Sequence, residues 1–118
     1  MKITNRRAFF DYQLQDFFEA GITLYGHEVK SVRLGKADLS GSFVRILGSE
    51  AYLVNAKIFP YQPGQVEGYD QHRTRKLLMH KKEIISLKSK TEGSNLSLIP
   101  VSMYLKNGFV KLEVALGK

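Results

Sequence analysis

Over residues 10–24 apolar side chains recur on the even positions: Phe10, Tyr12, Leu14, Phe18, Ala20, Ile22 and Leu24. That is the period of a strand with one buried face. Asp16 breaks the series and marks a bend. The odd positions carry Gln13, Gln15, Glu19 and Thr23, so the Glu19 carboxylate stands on the face away from the core. After Gly26 the spacing lengthens. Val29 and Val32 lie three apart, as do Lys30 and Arg33, which predicts a short amphipathic helix ended by Gly35. Residues 42–47 and 51–56 are β-rich runs around Gly48, Ser49 and Glu50, a hairpin with a short loop. Pro60, Pro63, Gly64 and Gly68 make 60–70 a long loop.

A brief strand at 76–79 is followed by helix-forming residues over 80–92, with Ile84, Leu87 and Lys88 at helical spacing before Gly93. The last two runs, 96–106 and 109–116, flank Asn107-Gly108, the pair that best tolerates the positive φ angles of a type I′ turn. Counting outward from the turn pairs Lys106 with Phe109, Leu105 with Val110 and Tyr104 with Lys111. Val101, Met103, Leu105, Val110, Leu112, Val114 and Leu116 then share the buried face. Tyr104, Lys106, Phe109 and Lys111 share the other, where the aromatic rings either pack beneath a helix or stack on bases. Five or six strands with two short helices predict a mainly β chain forming a closed or partly open barrel of OB-like type.

A chain of 118 residues fits one domain. It has no Cys, which excludes disulfides, thiolate zinc sites and a cysteine nucleophile, and which suits a reducing cytosol. No signal peptide or membrane-length apolar stretch is present, so a soluble, cytoplasmic protein is expected. The three histidines His27, His72 and His80 lack the spacing of a metal motif. No G-x-S-x-G elbow, P-loop or dinucleotide fingerprint occurs, and the acids are scattered, so neither catalysis nor a metal, cofactor or small-molecule substrate is expected.

The formal net charge of +7 points to a polyanion without choosing among RNA, DNA and an anionic membrane. Its distribution says more. Residues 72–90 hold Arg73, Arg75, Lys76, Lys81, Lys82, Lys88 and Lys90 against the single acid Glu83. Lys30, Arg33 and Lys36 form a second cluster. Either is a row of phosphate contacts or a solvated basic face.

Three stretches add a resemblance: FEAGITLYGHEVKSVRLGKADLSGSF at 18–43, RTRKLLMHKKEI at 73–84 and LIPVSMYLKNGFVKLEVALGK at 98–118. In order and separation they resemble the SsrA-binding protein (small protein B) family across nearly the whole chain. The resemblance implies a six-stranded antiparallel β-barrel, OB-fold-like, with two or three short helices. It also implies binding to the tRNA-like domain of transfer-messenger RNA near its elbow, with the protein standing in for the missing anticodon arm. The complex reaches a stalled ribosome through elongation factor Tu, and alanyl-tRNA synthetase is an indirect partner that charges the same RNA. By matched position the family's RNA-binding determinants fall on Glu19, Leu78 and Lys111. Lys30, Arg33, Lys36, Arg73, Arg75 and Lys76 join them on charge and motif position, and Asn5, Arg6 and Arg7 match the family's opening basic segment. Phe10 stands where the family often has His and Asp38 where Asn is common. The family continues with a basic tail past the position of Lys118, so the expectation for these 118 residues is RNA binding without completed rescue. A general OB-type binder of single-stranded nucleic acid, an RNA-processing enzyme and a ribosome-associated factor independent of this RNA are the competing readings.

Overall fold

The computed structural model describes residues 2–62 and 66–118. In chain order its elements are β1 (Lys2–Thr4), α1 (Arg6–Asp11), β2 (Leu14–Ile22), α2 (Gly26–Arg33), β3 (Ala37–Asp38), β4 (Phe43–Leu47), β5 (Glu50–Val54), β6 (Lys57–Ile58), β7 (Arg75–Leu78), α3 (Lys81–Thr91), β8 (Ser97–Lys106) and β9 (Phe109–Gly117). The β8–β9 hairpin has the expected register, Lys106 opposite Phe109, Leu105 opposite Val110 and Tyr104 opposite Lys111. Its turn residues have φ angles of 52° at Asn107 and 81° at Gly108.

Neighbouring strands run β8-β4-β5-β7-β2-β9, and β9 returns to β8, so six antiparallel strands close on themselves. Closure satisfies the backbone groups that an open sheet would leave at its edges. Along its other edge β8 is shared: Leu98 pairs with Val44 of β4, and 102–104 pair with β1. Inside lie Leu53, Leu77, Met103, Leu112, Val114 and Leu116, all buried, each contributing roughly 1.5–3 kcal/mol by leaving water. Ile84 and Leu87 of α3 and Val32 of α2 join the same core.

The strand expected from residue 10 begins only at Leu14. Residues 6–11 form α1 instead, which docks on β8 by burying Ala8 and leaves Phe10 solvent-exposed. A short apolar run does not by itself separate the two periods. Asp16 does mark a bend: its φ is 53°, and the β2–β9 register shifts between Gln15 and Phe18, as at a β-bulge. The hairpin of β4 and β5 turns on Gly48 and Ser49 alone, because Glu50 pairs with Leu47. Its second strand stops at Val54, ahead of Asn55 with a φ of 64°. Strands β1, β3 and β6 are of two or three residues, too short to show a period. Among the described residues between Ile58 and Arg75 there is no helix or strand, as the loop reading expected, while Pro63 and Gly64 lie outside the described residues.

Candidate nucleic-acid interface

Because β7, β2, β9, β8 and β1 are consecutive neighbours, the register lines up one residue from each. Leu78 faces Gly21, Gly21 faces Lys111, Lys111 faces Tyr104, and Tyr104 faces Lys2. Their immediate neighbours Leu77, Leu112 and Met103 point into the core, so alternation turns the row itself outward. Leu78 is 57% exposed despite being apolar. Glu19 sits one outward position along β2 from Gly21. Its carboxylate accepts the Tyr104 hydroxyl at 2.5 Å and the Lys106 ammonium at 3.4 Å. The hydrogen bond from Tyr104, with the Lys106 charge, holds the Glu19 carboxyl below its ordinary range, and burial together with Glu19 pushes the Tyr104 hydroxyl up to about 12. Glu19, Leu78 and Lys111 line one groove with Gly21, Met79 and His80. The structure therefore brings together the three positions that motif matching singled out.

The remaining expected residues divide. Lys30 and Arg33 lie exposed on α2 with Lys36 just beyond it. The Lys30 ammonium is 5.5 Å from the centre of the Tyr61 ring, and Lys36 donates to the Tyr61 carbonyl at 3.1 Å. Lys76 is exposed but paired with Glu50 at 3.2 Å. Arg6 and Arg7 are exposed on α1, and Arg7 is 3.7 Å from Asp11. Arg7 lines a different and larger cleft of about 580 Å³ with Arg45 and Lys88.

Two expectations are corrected. Arg75 is 0% exposed and belongs to the interior: its guanidinium pairs with Glu28 at 2.7 Å and donates to the Ala56 carbonyl at 2.7 Å. Phosphate has no access to it. Asn5 is likewise buried, with its amide nitrogen on the Pro100 carbonyl at 2.8 Å and its backbone N–H on Val101. It fastens β1 and α1 to β8. Arg73 is intermediate, its side chain 22% exposed, stacked 3.9 Å over the Tyr25 ring and bonded to both Glu28 oxygens.

Glu28 escaped the sequence reading. It is the third residue of α2 and accepts the Tyr25 N–H at 2.8 Å, the Tyr69 hydroxyl at 2.8 Å and both arginines. Burial pushes its carboxyl up, but the hydrogen bonds from Arg73, Tyr25, Arg75 and Tyr69 outweigh that and hold it at about 2. The network joins α2, the loop before β7 and β7 itself. A readable signal did exist: strand alternation puts Arg75 on the face of Leu77, pointing inward and in need of an acid. The place of Lys2 at the end of the outward row also gave no sequence signal, since β1 is too short to show a period. Among the described residues no cluster of His, Cys, Asp or Glu has the geometry to hold a metal ion, and no helix is long and apolar enough to cross a membrane.

Compared with known families, residues 2–118 match the SmpB protein family. The chain belongs to that family. An SsrA-binding protein of Sulfurihydrogenibium sp. is 49% identical over 115 residues, covering 98% of this chain and 76% of the relative. The SsrA-binding protein of Persephonella marina is 48% identical over the same shares. Among solved structures, a chain of one described as "tmRNA-SmpB: a journey to the center of the bacterial ribosome" superposes with a TM-score of 0.83 at 43% identity, covering 99% of this chain and 82% of that one. Family membership and the closed barrel agree with what the three motif stretches imply.

Proposed function

We propose that this member of the SmpB family binds transfer-messenger RNA through the tRNA-like domain and serves in trans-translation, the rescue of stalled ribosomes with tagging of their incomplete products. The observation that carries the reading is the convergence of Glu19, Leu78 and Lys111 on one outward groove in a chain of this family. Lys111 and Lys2 neutralise phosphate. Glu19, held as a carboxylate, accepts hydrogen bonds from a ribose 2′-hydroxyl or an exocyclic amine. Leu78 packs on a sugar or base. Lys30, Arg33 and Lys36 widen the positive field from α2, and Arg73 reinforces it at the edge of the Glu28 network. Arg6 and Arg7 extend it more distantly. The protein performs no chemistry of its own: it holds a shape. Elongation factor Tu delivers the complex to the ribosome, alanyl-tRNA synthetase charges the same RNA, and all of this takes place in the cytoplasm.

A competition at physiological salt tests it, using the tRNA-like domain of transfer-messenger RNA, an elongator tRNA and a single-stranded oligonucleotide of equal charge. The first should win by at least tenfold. Equal binding to all three would replace the proposal with a general single-strand binder.

A further inference from the structure

Between the hairpin tip and α2, the outward row contains a shallow hollow. Gly21, Leu24, Val29, Leu78, Phe109 and Lys111 line it, and its volume is about 200 Å³, smaller than the roughly 300–1,000 Å³ of a drug-sized site. Its floor is Gly21. A β-carbon there would stand 3.1 Å from the Leu78 β-carbon, so any side chain at this position would crowd Leu78 and fill the space. One wall is Phe109, first residue of β9, a residue 68% exposed. Two positions along the same face, the Lys111 ammonium lies 6.0 Å from the centre of that ring. Lys111 forms no ion pair among the described residues, although Glu19 feels its charge.

An apolar ring kept in water beside an unpaired ammonium, both on the lining of a hollow of about 200 Å³ shared with Leu78 and Val29, matches a particular chemistry. The ligand is a planar aromatic system carrying a phosphate close by, which is a nucleotide. Both faces of its base must be free to enter, because one lies on Phe109 and the other meets the aliphatic wall of Leu78 and Val29. A base stacked inside a duplex does not offer that; one turned out of a loop does. Apolar lining gives no hydrogen-bonding code, so the hollow selects unpaired geometry rather than base identity.

We propose that Phe109 and Leu78 clamp a single unpaired nucleobase above Gly21, with the adjoining phosphate on Lys111. This rests on the RNA-binding reading and adds a stacking residue to it. The chain has no Trp, so Phe109→Trp supplies a lone indole in the hollow. Saturation with the tRNA-like domain of transfer-messenger RNA should quench its emission, and a fully paired RNA of equal charge should not. Phe109→Ala and Phe109→Leu should each weaken binding by about 5- to 150-fold with the slope of log affinity against log salt unchanged, because stacking releases no counterions. Leucine keeps the bulk and loses the π face, which separates stacking from packing of the hairpin. Wild-type affinity in both variants, or indole emission indifferent to the RNA, would overturn the clamp. Lys111→Ala then tells the two ideas apart: weakened binding with a salt slope lower by about one unit leaves the RNA interface standing without a clamp, and unchanged binding removes the interface as well.

Discussion

Glu28 is a surface determinant that never reaches the surface. Its carboxylate accepts hydrogen bonds from four residues, and through Arg75 it fixes the strand whose next two outward positions are Lys76 and Leu78. Removing one partner of a buried ion pair leaves the other charge without compensation. Glu28→Gln should therefore cost roughly 3–5 kcal/mol of folding free energy, read from urea unfolding at pH 7. The pH dependence follows from the direction of the shift. The carboxyl ordinarily titrates near 4.5 and is held at about 2 in the folded chain, so its stabilisation is complete above pH 4.5 and is lost as pH falls through that interval. The difference between wild type and Glu28→Gln should shrink as pH drops from 4.5 toward 2; a gap that stays constant there would mean that the carboxylate is not the stabilising species. At this scale the sequence is legible where alternation is applied without regard to charge. Arg75 falls on the inward face by the same rule that turns Leu78 outward, whereas a count of cations puts both arginines of that segment at the surface. Asn5 carries no such signal, since its burial depends on where Pro100 and Val101 arrive from the far end of the chain.

At the scale of elements, local chemistry decides the hairpins and helices, and long-range pairing decides the rest. The Asn107-Gly108 turn places Lys111 beside Tyr104 and Phe109 beside Lys106, so part of the outward row depends on one two-residue loop. At a φ of 81° a β-carbon clashes with the backbone, costing roughly 1–2 kcal/mol. Gly108→Ala should lower the urea midpoint by that free energy with the m-value unchanged; an equal midpoint would show that the turn relaxes without loss. The helix α3 matches the residues from which it was predicted because Ile84 and Leu87 supply the buried stripe and Gly93, with a φ of 70°, ends it. The chain before residue 14 departs from its sequence period for a different reason. Phe10 and Tyr12 continue the alternation of β2, but α1, docked on β8 with Ala8 buried, takes in Phe10 and ends at Asp11, leaving Tyr12 extended between helix and strand. Strands of two or three residues are legible only once their partners are known.

For the whole molecule, net charge identified the kind of partner, and closure of the barrel decides which charges act together. Cations from 72–90 that seemed one field in sequence are dispersed: Arg75 inside, Lys76 on Glu50, Lys88 in the cleft shared with Arg7 and Arg45. Binding of the tRNA-like domain should fall linearly with log salt. Lys111→Ala should reduce that slope by about one unit, and Arg45→Ala, on the wall of the separate cleft, should leave it in place. Equal reductions from both would mean that affinity follows total charge rather than the groove.

The register also fixes a length. From Leu78 to Lys2 the outward row takes four steps between hydrogen-bonded strands of about 4.8 Å each, roughly 19 Å along the sheet. The first three steps run between strands of the closed barrel and the last is the ladder of β1 on the outer edge of β8, so the spacing of these side chains resists stretching in a way that a row on a loop would not. The barrel thus keeps these side chains at set intervals, and whatever lies across them meets a row whose spacing the backbone has already decided.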